Sequence, residues 1–402
     1  MSRTCENILD SILEYKTQNT WSINATKDHI TPKLLKNLNT INYKQELYSS
    51  AIFKSLWTKE YEYPSGKKDF ITASGTYNSM PPPNFEDYND ELDASHIIFK
   101  QGVMHTNFGL ANIGGYVYHD TGDKYSNVYD YFAKIIEVLE NSTTPGLLAS
   151  LITGGTSVGV FTGFHKKDIK FIAEDIDKDN PSINAGVYIV HIKDGATTNV
   201  EESIMGTNDL LVNKWIYIVD YGCKLDLTRK VANANGVIDD VSIIQYPDSE
   251  VTINTYDKDN QWRHIDITAY QNTKTIVNGS VLCKNSSSAH NVVVNHKGNN
   301  GLSRIKYHSA IYNTNITDFI GSINVDKKAV GTDAIMINKN LLMDKSSKAK
   351  SIPKLNINTK EIECSHGCTI SNIDEDEIYY LETLGVSRNS ARRLIADGHI
   401  QI

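Results

Sequence analysis

Residues 290–296 read HNVVVNH, a short β-rich run, and FIGSINV follows at residues 319–325. Turns rich in Gly, Asn and Asp separate such runs, and helical periodicity is absent from about Ile152 onward. The starts of seven runs lie 28, 26, 21, 28, 29 and 29 residues apart. An interval that recurs within about 20–50 residues is typical of a repeat architecture. The other five runs are VYIVHI from Val187, WIYIVDY from Trp215, VSIIQY from Val241, WRHIDITAY from Trp262 and KAKSIPKLNIN from Lys348.

Each repeat contains several short strands and no helix, which favours a β-solenoid over a helical array. One coil cannot bury its own inward residues, whereas stacked coils bury a continuous column of Ile, Val and Leu. Asn and Thr at the turns are expected to form polar ladders between coils. A two-sheet sandwich is also built from short alternating strands with turns, so the periodicity alone leaves both folds open.

Helical patterns flank the repeats on both sides. Before residue 150, apolar residues at helical spacing predict helices within residues 1–56 and 127–140, with a linker and a strand at His96–Phe99 between them. Near the other end, acids at 374–377 open a helix, where the macrodipole favours negative charge. Gly385 predicts its end, and Ser387 predicts the cap of a second helix. The chain therefore divides into a largely helical region with a linker (1–150), a β core (151–373) and a helical hairpin (374–402).

Composition excludes several classes of protein. A net charge of −8 and a pI near 5.8 argue against a nucleic-acid partner, which would need a clustered basic surface. No apolar run approaches the ~18 residues of a membrane span. The N-terminal sequence lacks the apolar segment and cleavage site of a secretory signal. Five scattered cysteines indicate free thiols in a reducing compartment. These features predict a soluble, cytoplasmic protein with no membrane insertion.

The most pointed motif is CSHGC at residues 364–368. In an extended segment, Cys364, His366 and Cys368 lie on one face. Thiolate and imidazole are suitable ligands for zinc or an iron–sulfur cluster. Three donors at alternating positions on one strand do not easily reach one tetrahedral metal, and Gly367 is a potential break in the strand. The motif is therefore either a ligand site or the buried end of the last coil, and the residues leave both readings open.

Other candidate motifs give weaker indications of catalysis or of ligand binding. The Gly-rich stretch ITGGTSVG at 152–159 lacks the Gly-Lys-Ser/Thr ending of a P-loop, so it predicts a turn and not an ATP site. Cys223 and Cys283 are more typical of small core residues than of reactive thiols. His290 and His296 are more typical of surface or hydrogen-bonded core residues than of ligands. No Ser-His-Asp arrangement or close carboxylate pair is supported by the spacing. These patterns predict that the chain does not itself hydrolyse ATP.

Four segments near the C-terminus occur in an ordered and specific spacing. They are FIGSINV at 319–325, TDAIMINKNLL at 332–342, PKLNI at 353–357 and SHGCTI at 365–370, followed by the acidic helix. In these segments the chain resembles the SufB/SufD family of iron–sulfur cluster assembly scaffold proteins, and its CSH motif resembles the SufD type. The resemblance covers residues 152–402 well and the first part thinly. It implies a right-handed parallel β-helix flanked by N- and C-terminal helical segments.

The resemblance also implies a function. Family members are non-catalytic subunits of the SUF scaffold, so this chain would pair with a SufB-like chain, or with itself as a homodimer. It would dock a SufC-like ABC-type ATPase and work with a sulfur donor system. Cys364 and His366 would hold a transient iron–sulfur cluster at the subunit interface, and some family assemblies are thought to contain a flavin. The predicted ATPase-docking residues are Ile378, Leu381, Leu384, Leu394 and Ile395.

Location and alternative classes complete the prediction. The family resemblance is compatible with the cytoplasm, or with the plastid in a plastid-bearing eukaryote. Two other classes of protein are weighed against the scaffold. One is a zinc-stabilised structural β-solenoid, and the other is a carbohydrate-active β-helix protein, which would need paired carboxylates or a carboxylate-bound calcium site.

Overall fold

The computed structural model describes residues 96–100, 103–106, 111–113, 116–120, 157–162, 169–174, 183–205, 210–232, 236–259 and 261–401. The helices predicted within 1–56 and 127–140 lie outside these residues, and the division at residue 150 stays a prediction. The strand predicted at His96–Phe99 is confirmed, since a strand covers His96–Lys100. No helix among the described residues is both long and apolar enough to span a membrane.

Two ten-stranded sheets make up the body of the described structure. In spatial order, the first sheet contains β2 (Val103–Thr106), β1 (His96–Lys100), β6 (Ile169–Glu174), β8 (Thr197–Met205), β10 (Lys224–Ala232), β12 (Glu250–Lys258), β14 (Lys274–Cys283), β16 (Leu302–Ile311), β18 (Thr332–Leu342) and β20 (Ile362–Asn372). The second sheet contains β19 (Lys348–Ile357), β17 (Ile316–Val325), β15 (Ser288–His296), β13 (Gln261–Ala269), β11 (Gly236–Gln245), β9 (Leu210–Val219), β7 (Ile183–Ile192), β5 (Ser157–Thr162), β4 (Tyr116–Asp120) and β3 (Ala111–Ile113).

From β5 onward the chain alternates between the two sheets, so each coil contributes one strand to each. Every strand from β5 to β18 pairs in parallel with the corresponding strand of the next coil, whereas β1 with β2 and β3 with β4 are antiparallel. One interior column joins Trp215, Val241, Ile265, Val292 and Gly321 at intervals of 24 to 29 residues. The parallel β-helix is therefore confirmed, and the sandwich alternative is wrong.

Alternation within each strand separates the interior from the surface. In β10, Leu225, Leu227 and Val231 are at most 2% exposed, while the intervening Lys224 and Asp226 face solvent. The pleat places successive side chains on opposite faces, and the in-register ladder then stacks like with like. Each buried branched aliphatic side chain contributes about 1.5–3 kcal/mol relative to exposure, so the stacked columns are the main source of stability.

The polar ladders expected between coils are present in the turns and on the second sheet. Asp248, Asn272 and Asn300 follow one another at the same corner, each with φ between 53° and 60°. The side chain of Asn272 donates to Asp248 over 2.9 Å, and that of Asn300 donates to Asn272 over 3.1 Å. Asn and Asp tolerate this left-handed conformation better than other non-glycine residues, which explains their enrichment in these turns. A second ladder, with 2.7 Å steps, joins Asn295, Asn324 and Asn356.

The C-terminal hairpin begins and ends where its sequence predicts. Helix α1 (Glu375–Thr383) is capped by Asp374, whose side chain accepts from the backbone N–H of Asp376 over 2.9 Å. Gly385 follows the helix with φ of 86°. Helix α2 (Arg388–Ile400) is capped by Ser387.

Helix α2 packs on the outer face of the first sheet. Ala396 is fully buried in a cluster with Ala310, Leu341 and Met343 of that sheet. Arg392 fixes the same helix by donating to the carbonyl of Met343 over 2.6 Å and to the carboxylate of Asp344 over 2.7 Å. The hairpin therefore lies against the side of the solenoid and leaves the end of the terminal coil uncovered by these two helices.

Gly279 provides a test of interior packing, because a Cβ added there would lie 2.2 Å from Cε1 of the buried Tyr307 ring. We expect Gly279→Ala to lower the free energy of unfolding by about 1–3 kcal/mol, the usual cost of overpacking. The control is Gly398→Ala in α2, where nothing lies within 4 Å of the added atom. Alanine there should be neutral or stabilising by up to about 1 kcal/mol. Equal shifts of the urea midpoint in both variants would contradict this packing.

Candidate functional site

Strand β20 is the terminal strand of the first sheet and carries the whole CSHGC motif. It pairs in register with β18, which places Cys364 beside Ala334, His366 beside Met336 and Cys368 beside Asn338. Gly367 does not break the strand, since β20 continues through it to Asn372. The extended geometry predicted for the motif is confirmed.

The motif faces the interior side of the solenoid at its open end. Ala334 and Met336 are fully buried core residues, so their in-register neighbours on β20 point to the same side. Cys364 packs against the core and is half-buried, whereas His366 and Cys368 are exposed. The core therefore ends in a row of one thiol, one imidazole and one further thiol.

These three donors are spread along the strand. Alternate residues of an extended strand lie about 6.8 Å apart, so Cys364 and Cys368 are about 13 Å from each other. Within residues 96–401, as far as the structure describes them, no three His, Cys, Asp or Glu side chains form a group that could hold a metal ion. Because one ion needs ligands at about 2.0–2.3 Å, this strand supplies part of a ligand set and not all of it.

The environment of Cys364 favours the protonated form of its thiol. Burial raises the pKa of the Cys364 thiol, although a backbone hydrogen bond at Ala334 opposes this effect, and Asp333 raises the pKa further. A thiolate is the form that binds metals, so a metal at Cys364 would have to displace a proton. Metal binding at this position would therefore strengthen as pH rises.

The five predicted docking residues separate into two groups. Ile378 is fully buried, Leu381 and Ile395 are half-buried, and Ile395 packs beside Ala396. Leu384 and Leu394 are 62% and 54% exposed, so only these two present most of their apolar surface to solvent. Tyr379 and Tyr380, which were not singled out from the sequence, are exposed by 68% and 63%. Both lie outside the apolar stripe of Ile378 and Leu381, and that position is the sequence signal that could have found them.

The remaining candidates lie in the core, which the sequence predicted for the two cysteines and left open, between surface and core, for the two histidines. Cys223 and Cys283 are fully buried, and burial raises the pKa of the Cys283 thiol to about 11. His290 and His296 are also buried. Burial, followed by the charge of Arg263, lowers the pKa of His290 to about 3, and burial lowers that of His296 to about 4. Both imidazoles are neutral at physiological pH. Residues 152–156 of the Gly-rich stretch lie outside the described residues.

An ionic chain inside the solenoid was not foreseen from the sequence. Glu202 accepts hydrogen bonds from the hydroxyl of Tyr217 and, over 2.6 Å, from the guanidinium of Arg229. Arg229 also donates to Asp239 over 2.5 Å. All four side chains are at most 3% exposed and come from four different strands. Charged residues at these inward-facing positions interrupt the apolar alternation of the strands. That interruption is the only signal of the ionic chain in the sequence.

The ionic chain continues toward the terminal coils. Asp239 also accepts from Nε of Arg263 over 3.0 Å, and Arg263 donates to Asp257 over 2.5 Å. Nδ1 of His290 lies 3.6 Å from Oδ2 of Asp257. Three carboxyl groups therefore face two guanidinium groups in a space without solvent. Full ionisation would leave one unbalanced negative charge, which is costly in a low-dielectric interior.

Together, these features define a class of protein. It is a parallel β-helix whose terminal strand presents thiol and imidazole donors at an open end, with a helical hairpin on its side. The family model for the SUF system FeS cluster assembly, SufBD core domain, matches residues 174–399, which is more than half of the chain. The chain belongs to the SufBD core family.

Curated relatives match part of this chain, and two of the following three carry SufD or SufBD family names. The iron–sulfur cluster assembly protein SufD of Escherichia coli is 34% identical over 111 residues, covering 28% of this chain and 22% of that protein. A SufBD family protein of Synechocystis is 35% identical over 79 residues, covering 20% and 17%. Protein ABCI7, chloroplastic, of Arabidopsis thaliana is 31% identical over 77 residues, covering 19% and 16%. The aligned segments span about a fifth of the length of these relatives.

The buried ionic chain predicts an unusual pH dependence of stability. Burial raises the pKa of Glu202 to about 7 against the opposing effect of Arg229, and its pKa in an unfolded chain is about 4.3. Between these values only the folded state keeps the proton, so the contribution of Glu202 to stability falls as pH rises. Glutamine at this position does not ionise. We expect the stability advantage of the wild type over Glu202→Gln to shrink by on the order of 2 kcal/mol between pH 5 and pH 8.

Urea unfolding of both proteins at the two pH values measures this difference. The exposed Asp226→Asn serves as the control, and its difference from the wild type should stay constant with pH. If the difference in unfolding free energy between the wild type and Glu202→Gln stayed constant or grew with pH, the folded protein would hold no proton at Glu202.

Proposed function

We infer that this chain is a subunit of the SUF iron–sulfur cluster assembly scaffold and that it supports assembly without catalysing a reaction of its own. The observation that carries the inference is the position of Cys364 and His366, on the interior face of the terminal strand of a SufBD core domain. Iron and sulfide favour thiolate and imidazole ligands. A ligand set left incomplete by one chain suits a transient cluster, because a partner then completes it and later allows release.

The residue composition of the two terminal strands, β19 and β20, supports β20 as the strand to which a partner binds. Strand β19 carries Lys348, Lys350 and Lys354 on its exposed positions, and Pro353 has no N–H to donate. Lysine and proline on an edge strand oppose pairing with another chain. Within β20, by contrast, Glu363 is the only Asp, Glu, Lys or Arg. A SufB-like chain, or a second copy of this chain, would therefore add its strand to β20.

The exposed residues of the hairpin are the basis for a second proposed docking surface. We define the hairpin patch as Tyr379, Tyr380, Leu384 and Leu394, the large apolar or aromatic residues exposed on α1, on α2 and between them. Exposed apolar clusters of this kind on a soluble protein are typical of interaction sites. The partner proposed for the hairpin patch is a SufC-like ATPase. Ile378 and Ile395 instead hold the hairpin together and attach it to the sheet.

Other parts of the proposal follow from the assembly role. A sulfur donor system would supply sulfide, and a flavin would bind, if at all, to the assembled complex. The proposed location is the cytoplasm, or a plastid in a plastid-bearing host. One relative carries a chloroplast designation in its name.

Substitution of His366 tests the assembly role directly. We expect a complex purified anaerobically with its partners to contain iron and acid-labile sulfide, and His366→Ala to reduce both at least about 10-fold. Even residues that only support metal ligands contribute about 10–100-fold to binding. Ser365→Ala is the matched control, because Ser365 is exposed on the opposite face of the same strand.

The same measurement separates this proposal from the other classes of protein. Tight stoichiometric zinc in a chain isolated without partners would favour a zinc-stabilised structural solenoid. Unchanged iron and sulfide in His366→Ala would remove His366 from the proposed site. A chain that recovers neither a partner nor iron would overturn the proposed function.

The hairpin patch is tested by replacing Leu394, its leucine on α2. We expect Leu394→Asp to weaken copurification of the ATPase by about 10–100-fold in affinity, since burial of one leucine contributes about 1.5–3 kcal/mol. Arg393→Ala is the control, because the Arg393 side chain is 81% exposed. Circular dichroism would show that both variants remain folded. Equal retention of the ATPase by both variants would place its docking site elsewhere.

A further inference from the structure

The last coil of the solenoid carries a run of lysines without any acidic residue. Residues 345–360 read KSSKAKSIPKLNINTK, with five lysines and no Asp or Glu, so this segment has a net charge of +5. The whole chain has a net charge of −8, so the rest of it carries −13, the difference between −8 and +5. Positive charge is therefore concentrated in one coil of an otherwise acidic protein. We define the lysine face as Lys345, Lys348, Lys350, Lys354 and Lys360.

The three lysines of β19 point outward from the second sheet. Ala349 and Leu355 of the same strand pack against the interior core. Because successive side chains of a strand lie on opposite faces, Lys348, Lys350 and Lys354 lie on the outer face. All five residues of the lysine face are exposed. With about 3.4 Å per residue, the lysines of β19 form a row about 20 Å long. Such a row on an open strand is longer than a small anion and matches the dimensions of a protein surface.

Exposed lysines in other coils have acidic partners. Lys224 and Lys274 lie 2.8 and 3.6 Å from the carboxylate of Glu250, and Lys230 lies 3.2 Å from that of Glu201. In the part of the chain that the structure describes, no ion pair joins the lysine face to a carboxylate. The ammonium groups of the lysine face are therefore available to a second molecule.

The lysine face is separate from the two other proposed docking surfaces. Strand β20 ends the first sheet, and the hairpin packs on the outer face of that sheet. The lysine face instead lies on the second sheet. A strand partner on β20 and an ATPase on the hairpin patch would therefore leave the lysine face accessible. The CSHGC motif is nevertheless close in the chain, because only residues 358–361 separate β19 from β20.

We propose that the lysine face is a docking surface for a separate acidic protein, the sulfur donor of the assembly. The proposal rests on the proposed function, which requires a protein that delivers sulfur near β20. An acidic donor is repelled by the rest of the chain and attracted by the row of ammonium groups. Complementary charge of this kind steers association and suppresses other orientations. The docked donor would lie on the coil that carries the thiols and the imidazole.

Removal of charge from β19 tests this surface in the complex purified with its partners. The probe is the purified sulfur donor protein of the same SUF system, and calorimetric titration at low salt measures its affinity. The β19 variant carries Lys348→Gln, Lys350→Gln and Lys354→Gln. We expect it to bind the donor on the order of 10-fold more weakly, since exposed charge pairs contribute roughly 1.5- to 5-fold each. Added salt should weaken donor binding more steeply in the wild type than in this variant.

A matched control removes the same charge from the other sheet. Lys224→Gln, Lys230→Gln and Lys274→Gln replace three exposed lysines of the first sheet, and this variant should bind the donor like the wild type. Arginine at all three β19 positions keeps the charge and should keep the affinity, which separates lost charge from lost fold. Leu394→Asp should also leave donor binding unchanged, because the hairpin patch lies on the first sheet.

The outcomes separate this inference from the proposed function. Equal affinity of the wild type and the β19 variant for the donor, or no donor binding by the wild-type complex, would overturn the docking surface. Loss of the strand partner or of the ATPase from the β19 variant, with donor binding intact, would overturn the proposed occupant. If any of these results occurred while iron and sulfide still depended on His366, the proposed function would stand and only the inference would fail.

Discussion

The parallel, in-register ladder between successive coils is the constraint on which the rest of this structure depends. Each residue of a strand is paired in register with its counterpart one coil later, so a side chain that points inward on one coil is followed by inward side chains throughout its column. A shift of the register by one residue would move every inward-facing side chain of a strand to its outer face. The fully buried column of Val241, Ile265 and Val292 therefore fixes the register of the polar residues beside it.

The buried ionic chain is possible only because the ladder holds that register. Arg229 and Arg263 lie on different sheets and 34 positions apart, yet both guanidinium groups donate to one carboxylate oxygen of Asp239. Removing such charges from water costs several kcal/mol per ion, and that cost is offset only when the partners are correctly placed. We expect the ionic chain to contribute specificity of register rather than net stability. Burial raises the pKa of Glu202 to about 7, which favours the protonated form and so reduces the surplus negative charge in the interior.

The same ladder explains why the candidate site lies where it does. A solenoid must end, and the last strand of each sheet then has backbone groups without a neighbour in the next coil. The second sheet ends in a strand that carries lysines and Pro353, which oppose further pairing. The first sheet ends in β20, which carries the thiols and imidazole on its interior side. The thiols and imidazole of the motif therefore lie beside the unpaired edge of the sheet, which is the position that the proposed function requires.

The sequence by itself determined the repeat, the parity of each strand and the boundaries of the hairpin, because these depend on local alternation, turn residues and caps. It also placed Cys364, His366 and Cys368 on one face, since period two follows from strand geometry alone. Only the tertiary structure decided that this face is the interior side, that Gly367 does not interrupt it, and that Leu384 and Leu394 are exposed while Ile378 is buried. Those outcomes depend on which strand lies next to which, and pairing between residues about 25–30 positions apart is not encoded in any local pattern.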